Sequence, residues 1–197
     1  IDPLNGAAFR KVEKQTVTDN VENQLREAIL DGRLKPGESL AEAQLAAQFG
    51  VSRASIRQAK FQLTQEGLLE FGSRGTAIVR TLTEIDVREI VELREALDSA
   101  AIRLACTRLS EDAVSRLNRC IEQIEVAPDL LQLTKLDIEF HEEIVRAADN
   151  SRLLAAWQLL RPQLLFWLAS MHRIHASVVS GTQSETAQSH RELLNAL

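Results

Sequence analysis

The chain has 197 residues, of which 45% are hydrophobic, so it can build one large or two small packed cores and is too apolar for wholesale disorder. It shows no signal peptide and no apolar run of membrane-spanning length, and Cys106 and Cys120 lack metal-type spacing, which suits a reduced, cytoplasmic setting. Charge divides unevenly: residues 1–80 carry a net +1 and residues 81–197 a net −6, so the second part should point away from any polyanion.

Residues 1–17 lack periodicity and read as a flexible arm. The chain starts at Ile1 without an initiator Met, which reads as a trimmed fragment. Aromatics are only 4%, and Leu, Ala and Ile carry the apolar content, which favours helices packed on helices. A first helix is expected from Thr18 to Asp31, with Val21, Leu25, Ala28 and Ile29 on one stripe. Gly32 ends it, and Lys35-Pro36-Gly37-Glu38 forms a turn. A short helix follows over Glu42–Phe49, burying Leu45 and Phe49. Gly50 breaks the chain and Val51 packs inward. Ser52 is an N-cap for a third helix, Arg53 to Glu66, with Ile56, Ala59 and Leu63 inside. Two extended runs, Leu68–Phe71 and Thr76–Arg80, flank a hairpin tip at Gly72-Ser73-Arg74-Gly75. Residues 18–80 therefore read as a winged helix-turn-helix.

Beyond Thr83 the pattern turns to long helices. One is expected from Glu84 to Arg108, with Ile90, Leu93, Leu97, Ala101 and Leu104 inside. Ser110 caps the next, which carries Val114, Leu117, Ile121 and Ile124. Another spans about 130–148. A further helix starts at Asn150-Ser151, is kinked or divided by Pro162 and extends towards Val178. Ser180–Ser184 reads as a loop, and a last helix begins near Glu185. The fold class is mainly α: an N-terminal winged helix-turn-helix and, over 81–197, an antiparallel helical bundle.

The helix-turn-helix segment carries the first candidate site. Ala46, Gly50, Val51 and Ser52 let two helices cross steeply, so that the second offers its N-terminal end to the major groove of DNA. Ser52, Arg53, Ser55 and Arg57 lie in its first turn and a half. Backbone N–H groups there can meet a phosphate, and an arginine fork can take two acceptors on a guanine edge. Arg53 and Arg57, four apart, share a face. Arg74, between two glycines, suits a minor-groove or phosphate contact.

These residues resemble the GntR family of bacterial transcription regulators. The resemblance rests on Ile29 to Gly37, Leu45-Ala46, Val51-Ser52-Arg53 with Ile56-Arg57, and Glu66-Gly67-Leu68. It implies operator binding as a homodimer on a palindrome, with Arg53 and Arg57 reading bases and the wing touching the minor groove. Lys60 departs from the family, which usually has Leu there; its ammonium should snorkel out past Phe61, or the helix should be slightly rotated. The chain also lacks a basic residue that some relatives carry near Ala43.

In the helical part, Asp137 and His141 are four apart and project from one helix face, which Phe140 and Ile144 suggest is largely buried. They can hold a divalent metal with a ligand from another helix, His190 being the candidate, or hydrogen-bond each other as a core pair. His172 and His175 read as decoration on an exposed helix end. Glu92 to Leu97, Asp137 to His141, Ala148-Asp149-Asn150 and His190 to Leu194 resemble the FCD ligand-binding domain of the FadR-type branch of the family. That resemblance implies a zinc, nickel or similar ion held by one Asp and three His, with a small carboxylate effector beside it. Asp137, His141 and His190 match three of these ligands. The fourth is expected on a further helix past Leu197. Arg94 is a candidate clamp for the effector's carboxylate, the alternative being an ion pair with Glu95 or Asp98.

The functional expectation is a transcriptional regulator, not an enzyme. Two alternatives stay open: a metal-free structural DNA-binding dimer, and a hydrolase using the Asp/His group with a metal.

Overall fold

The computed structural model describes residues 17–72, 75–174 and 183–197. The expected arm over 1–16, the wing residue Arg74, His175 and the side chain of His172 lie outside the described residues.

Three helices come first: α1 (Val17–Leu30), α2 (Glu42–Phe49) and α3 (Arg53–Gln65). Val21, Leu25 and Ile29 of α1 bury their stripe with Ile56, Ala59 and Leu63 of α3. Gly50 ends α2 in the left-handed region (φ 65°), where a Cβ would be strained, and Val51 N–H donates to the Ala46 carbonyl at 3.1 Å. The chain then re-enters helix at Ser52, whose Oγ accepts from the Ser55 N–H at 3.1 Å. Strands β1 (Leu69–Phe71) and β2 (Ala77–Val79) pair antiparallel, Glu70 opposite Ile78. Ser39 also bridges to Ile78, and Leu40 N–H donates to the Ala77 carbonyl, so the segment before α2 is a third, short partner of the wing. Its single ladder step carries no alternation for a sequence pattern to show.

The bundle comprises α4 (Glu84–Ala105), α5 (Glu111–Glu125), α6 (Leu130–Ala147), α7 (Ser151–Ile174) and α8 (Gln183–Ala196). Helix α6 packs against α4, α5 and α7, and α8 packs on α5. Thr83 opens α4 with a reciprocal capping box to Asp86. The hydroxyl and backbone N–H of Thr83, with the Arg80 guanidinium, hold the Asp86 carboxyl down at about 2. Arg80 follows β2, so this pair ties the wing to the bundle. Lys135 on α6 also pairs with Glu27 on α1 at 2.8 Å, Gly67 lies beside the Gln163 side chain, and α1 packs against α7. No helix among the described residues is long and apolar enough to cross a membrane.

Four local expectations change. Helix α4 stops at Ala105, not Arg108; Arg108 turns away and donates to the carbonyls of Ala148 and Asp149 at 2.7 and 3.1 Å, closing the end of α6. Leu93 is 49% exposed, lining with Leu159 and Leu160 a cavity of about 400 Å³ between α4 and α7. Pro162 does not divide α7. Its cost of about 3 kcal/mol is offset by Trp157, Leu160, Leu164, Leu165 and Phe166, buried on either side at about 1.5–3 kcal/mol each. Gln183 and Ser184, expected in a loop, form the first turn of α8.

Candidate functional site

At the N-terminal end of α3, Ser52 and Arg53 are exposed and Ser55 is half-buried. Ser52 Oγ is 3.0 Å from Ser55 Oγ, so the two hydroxyls and the cap form one polar ledge over the first turn. Arg53 makes no ion pair with the described residues. Arg57 reaches back to α2, where its Nε and Nη2 donate to the Glu42 carboxylate at 3.4 and 3.1 Å. Arg57 holds that carboxyl below the ordinary range of a glutamate.

Lys60 does not snorkel. It is only 7% exposed, and its Nζ donates to the Leu40 carbonyl at 2.9 Å and lies 3.7 Å from Glu42 Oε1. Burial lowers its pKa from the ordinary lysine value, against the pull of Glu42. The carbonyl supplies a buried partner, so the stem need not carry the charge to water. Periodicity alone marks Lys60 as misplaced; it does not show where its charge goes.

The second candidate site lies inside the bundle. Asp137 and His141 project from α6 and meet His190 of α8, with one ligand atom from each within 4.8 Å of the others. Phe140, fully buried, stacks edge-on against His190 at 4.3 Å between ring centroids, and Trp157 lies nearly parallel to His141 at 6.4 Å. His190 Nδ1 is 2.7 Å from the Thr186 carbonyl. A carbonyl only accepts, so Nδ1 carries the proton, and the neutral ring has its lone pair on Nε2. That nitrogen lies 3.1 Å from Asp137 Oδ1. A lone pair facing a carboxylate in a buried place is unfavourable until a cation, either a proton or a metal ion, sits between them. Two imidazoles and a carboxylate are also a donor set that suits a borderline divalent ion. The residues therefore fit a metal.

The electrostatics agree. Burial, followed by the nearby Arg94 cation, pushes the His141 pKa down to about 4, so its ring is neutral and able to ligate at neutral pH. Burial alone would raise the Asp137 carboxyl, but the His190 and His141 rings and Arg94 outweigh it and hold the carboxyl low. Burial also raises the Asp98 carboxyl, against the pull of Arg94.

Arg94 donates from Nε to Asp98 Oδ2 at 3.3 Å and stands 4.0 Å from Asp137 Oδ2. It is thus both the expected ion pair with Asp98 and a neighbour of the Asp/His group. Asp98 is also 3.5 Å from His141 Nδ1. Asp98 and Trp157 were not singled out from the sequence as site residues. The i, i+4 spacing of Arg94 and Asp98 hints at the first; nothing local hints at the second.

Residues 17–79 match the family described as bacterial regulatory proteins, gntR family, and residues 89–197 match the FCD domain. The chain belongs to the GntR family and carries an FCD domain. It is similar to the "Probable D-xylose utilization operon transcriptional repressor" of Paenarthrobacter nicotinovorans, 31% identical over 97% of this chain and 83% of that one. It is also similar to the gluconate operon transcriptional repressor of Bacillus licheniformis, 32% identical over 75% of this chain and 62% of that one. Some curated relatives are thus matched over less than two thirds of their length. Among solved structures, E. coli McbR/YncC shares the fold at a TM-score of 0.63 and 22% identity, over 92% of this chain and 94% of that one. The chain is accordingly a DNA-binding transcriptional regulator of the GntR family.

Proposed function

We propose that this regulator binds a palindromic operator as a homodimer in the cytoplasm, and that a small organic acid beside a divalent metal ion, zinc or nickel, modulates its affinity. The observation that carries the metal is the convergence of Asp137, His141 and His190, with His190 Nε2 facing a carboxylate. The ion would supply a fixed positive charge for an anionic ligand, and three protein donors leave coordination positions for it. Arg94, next to Asp137, adds a second cation to the same place and orients a carboxylate by its planar fork. Ser52, Arg53, Ser55 and Arg57 face the major groove in this reading, and Arg74 serves the wing.

The link between the two sites runs along α6. Lys135 lies two residues before Asp137 and pairs with Glu27 of α1. A shift of α6 on ligand binding therefore reaches the winged unit directly. An exposed pair of this kind is worth at most about 1 kcal/mol, at the lower edge of typical allosteric coupling. Names among the relatives point to sugar and sugar-acid operons. Hydroxy acids, which offer a carboxylate and a hydroxyl to one metal, are the first class to test.

The test is metal analysis of the purified chain, then melting and operator binding with and without a chelator and across a library of hydroxy acids. The expected result is one bound divalent ion per chain, a lower Tm on chelation, and an acid that both stabilises the protein and changes operator affinity. Absence of a bound ion, with no acid shifting either quantity, would overturn the effector reading and leave a metal-free DNA-binding dimer.

A further inference from the structure

We propose that Lys60 is a positioning residue for operator reading: from beneath the recognition helix it holds Glu42, and through Glu42 it sets the direction of the Arg57 guanidinium. The inference rests on the reading in which Arg57 contacts a base.

Lys60 occupies the inner face of α3, between Ala59 and Leu63, both fully buried. An apolar side chain of similar volume would fill this place without desolvating a charge. Replacing a buried charge together with its partner by well-packed apolar groups is often neutral or stabilising, so a charged network at this place is better explained by geometry than by stability, although removing Lys60 alone leaves the Leu40 carbonyl without its donor. What it does there is defined by two contacts. Its Nζ donates to the Leu40 carbonyl at 2.9 Å, and it lies 3.7 Å from Glu42 Oε1.

Glu42 faces the buried ammonium on one side and Arg57 on the other. Arg57 presents its Nε and Nη2 edge to the carboxylate, at 3.4 Å to Oε1 and 3.1 Å to Oε2. A guanidinium has five N–H groups in a planar fork, so occupying this edge leaves the Nη1 and Nη2 end free for two acceptors on a guanine. An exposed Arg–Glu pair by itself holds its geometry weakly. Here Oε1 is shared between Arg57 and an ammonium that the core immobilises, so the carboxylate is anchored from within.

A second tie runs to the wing. The Leu40 residue that accepts from Lys60 also donates its N–H to the Ala77 carbonyl, and Ser39 bridges to Ile78. One buried ammonium thereby fixes the recognition helix against both α2 and the segment paired with β2. Both are elements that an operator must meet at once.

The experiment uses the full chain and a duplex selected by the wild type from a randomised pool, with single-base substitutions across its half-site. Binding is measured at one fixed salt concentration, with melting recorded alongside. Arg57→Ala identifies the base pair that Arg57 reads. Lys60→Met is expected to lower Tm by a few degrees, because the buried Leu40 carbonyl loses its donor, and to leave the salt slope unchanged. It should lower discrimination about tenfold at that same base pair, since a bidentate arginine contact carries discrimination of this order. Glu42→Gln should reproduce the loss, and the double variant should add little.

If Lys60→Met and Glu42→Gln both keep full discrimination while Arg57→Ala loses it, the positioning role is overturned and base reading by Arg57 stands. An even loss across all positions makes Lys60 a fold residue only and also overturns the proposal. If Arg57→Ala itself keeps discrimination at every position, base reading fails, and the inference built on it fails with it. Should Lys60→Met not fold, Glu42→Gln, on the outer side of the network, decides the matter in the same assay.

Discussion

The winged unit and the helical bundle prepare their polar side chains in opposite ways. On α3 the candidate DNA-reading residues stand at or near the surface. Their geometry is set by close neighbours: a cap three residues away for Ser55 and a carboxylate on the preceding helix for Arg57. In the bundle, Asp137, His141 and His190 are gathered from α6 and α8, with Arg94 from α4, inside a wall that includes Phe140 and Trp157. The difference teaches where function can be removed cleanly. A surface side chain can lose its partner without loss of fold. A buried donor cannot, because its remaining partners are left unsatisfied away from water.

The sharpest way to break this contrast is to delete a bundle donor. Asp137→Ala should lower divalent-metal affinity by at least about 100-fold and, in the metal-loaded protein, also lower Tm, because the ion loses its carboxylate ligand and with it the stabilisation that binding gives the folded chain; titration calorimetry and melting read both. If affinity holds, the cluster is a core hydrogen-bond group only.

Acid should separate the two units next. With metal chelated, His141 resists protonation down to about 4, whereas its ordinary value is 6.5. Between these values the unfolded chain binds a proton that the folded chain refuses, so stability falls as pH drops from 6.5 towards 4. The slope is up to about 1.4 kcal/mol per pH unit, measured by denaturant unfolding. His141→Gln should flatten this window, while Arg53→Ala should leave it unchanged.

On the DNA side, Arg53→Ala should cost about 1–3 kcal/mol of operator binding at fixed salt, read by fluorescence anisotropy, with little change in Tm. A drop in Tm of several degrees would erase the proposed distinction between the surfaces. Ser52→Ala, which removes the cap, should cost about 1 kcal/mol of stability and weaken operator binding by way of the frayed first turn. Lys135→Ala is the mildest. It should change the effector's influence on operator affinity by no more than about 1 kcal/mol while leaving metal content intact, which would sharpen the assignment of α6 as the link.

Much of the fold was legible because its signals are local. Gly50 and Ser52 mark a break and a cap whatever surrounds them, since a left-handed residue and a side-chain acceptor are needed at that turn. The stripe of α1 buries as expected, and so do Leu117, Ile121 and Ile124 of α5, while Val114 is half-buried. Leu93 and Lys60 were not legible in the same way. Both sit on the inward side of a helical period, but that period states only which residues share a face and not how far a neighbour covers it. Helix α4 leaves Leu93 at the rim of a cavity, and the Leu40 carbonyl waits beneath α3 for the Lys60 ammonium. Pro162, expected to kink or divide the helix, does not divide it: its local cost is real, and packing along α7 outweighs it.

The sequence by itself determined that Asp137 and His141 share a face, because the helical pitch of 3.6 residues places i and i+4 one above the other. It likewise determined the cap at Ser52 and the common face of Arg53 and Arg57. Only the tertiary structure decided that His190 turns Nε2 towards Asp137, that Arg94 stands beside the same carboxylate, and that Lys60 points inward onto Leu40 and Glu42. Those meetings depend on how α8 seats on α5 and how α2 crosses α3. The seating follows from the summed burial of many apolar side chains, which no single stretch of chain encodes.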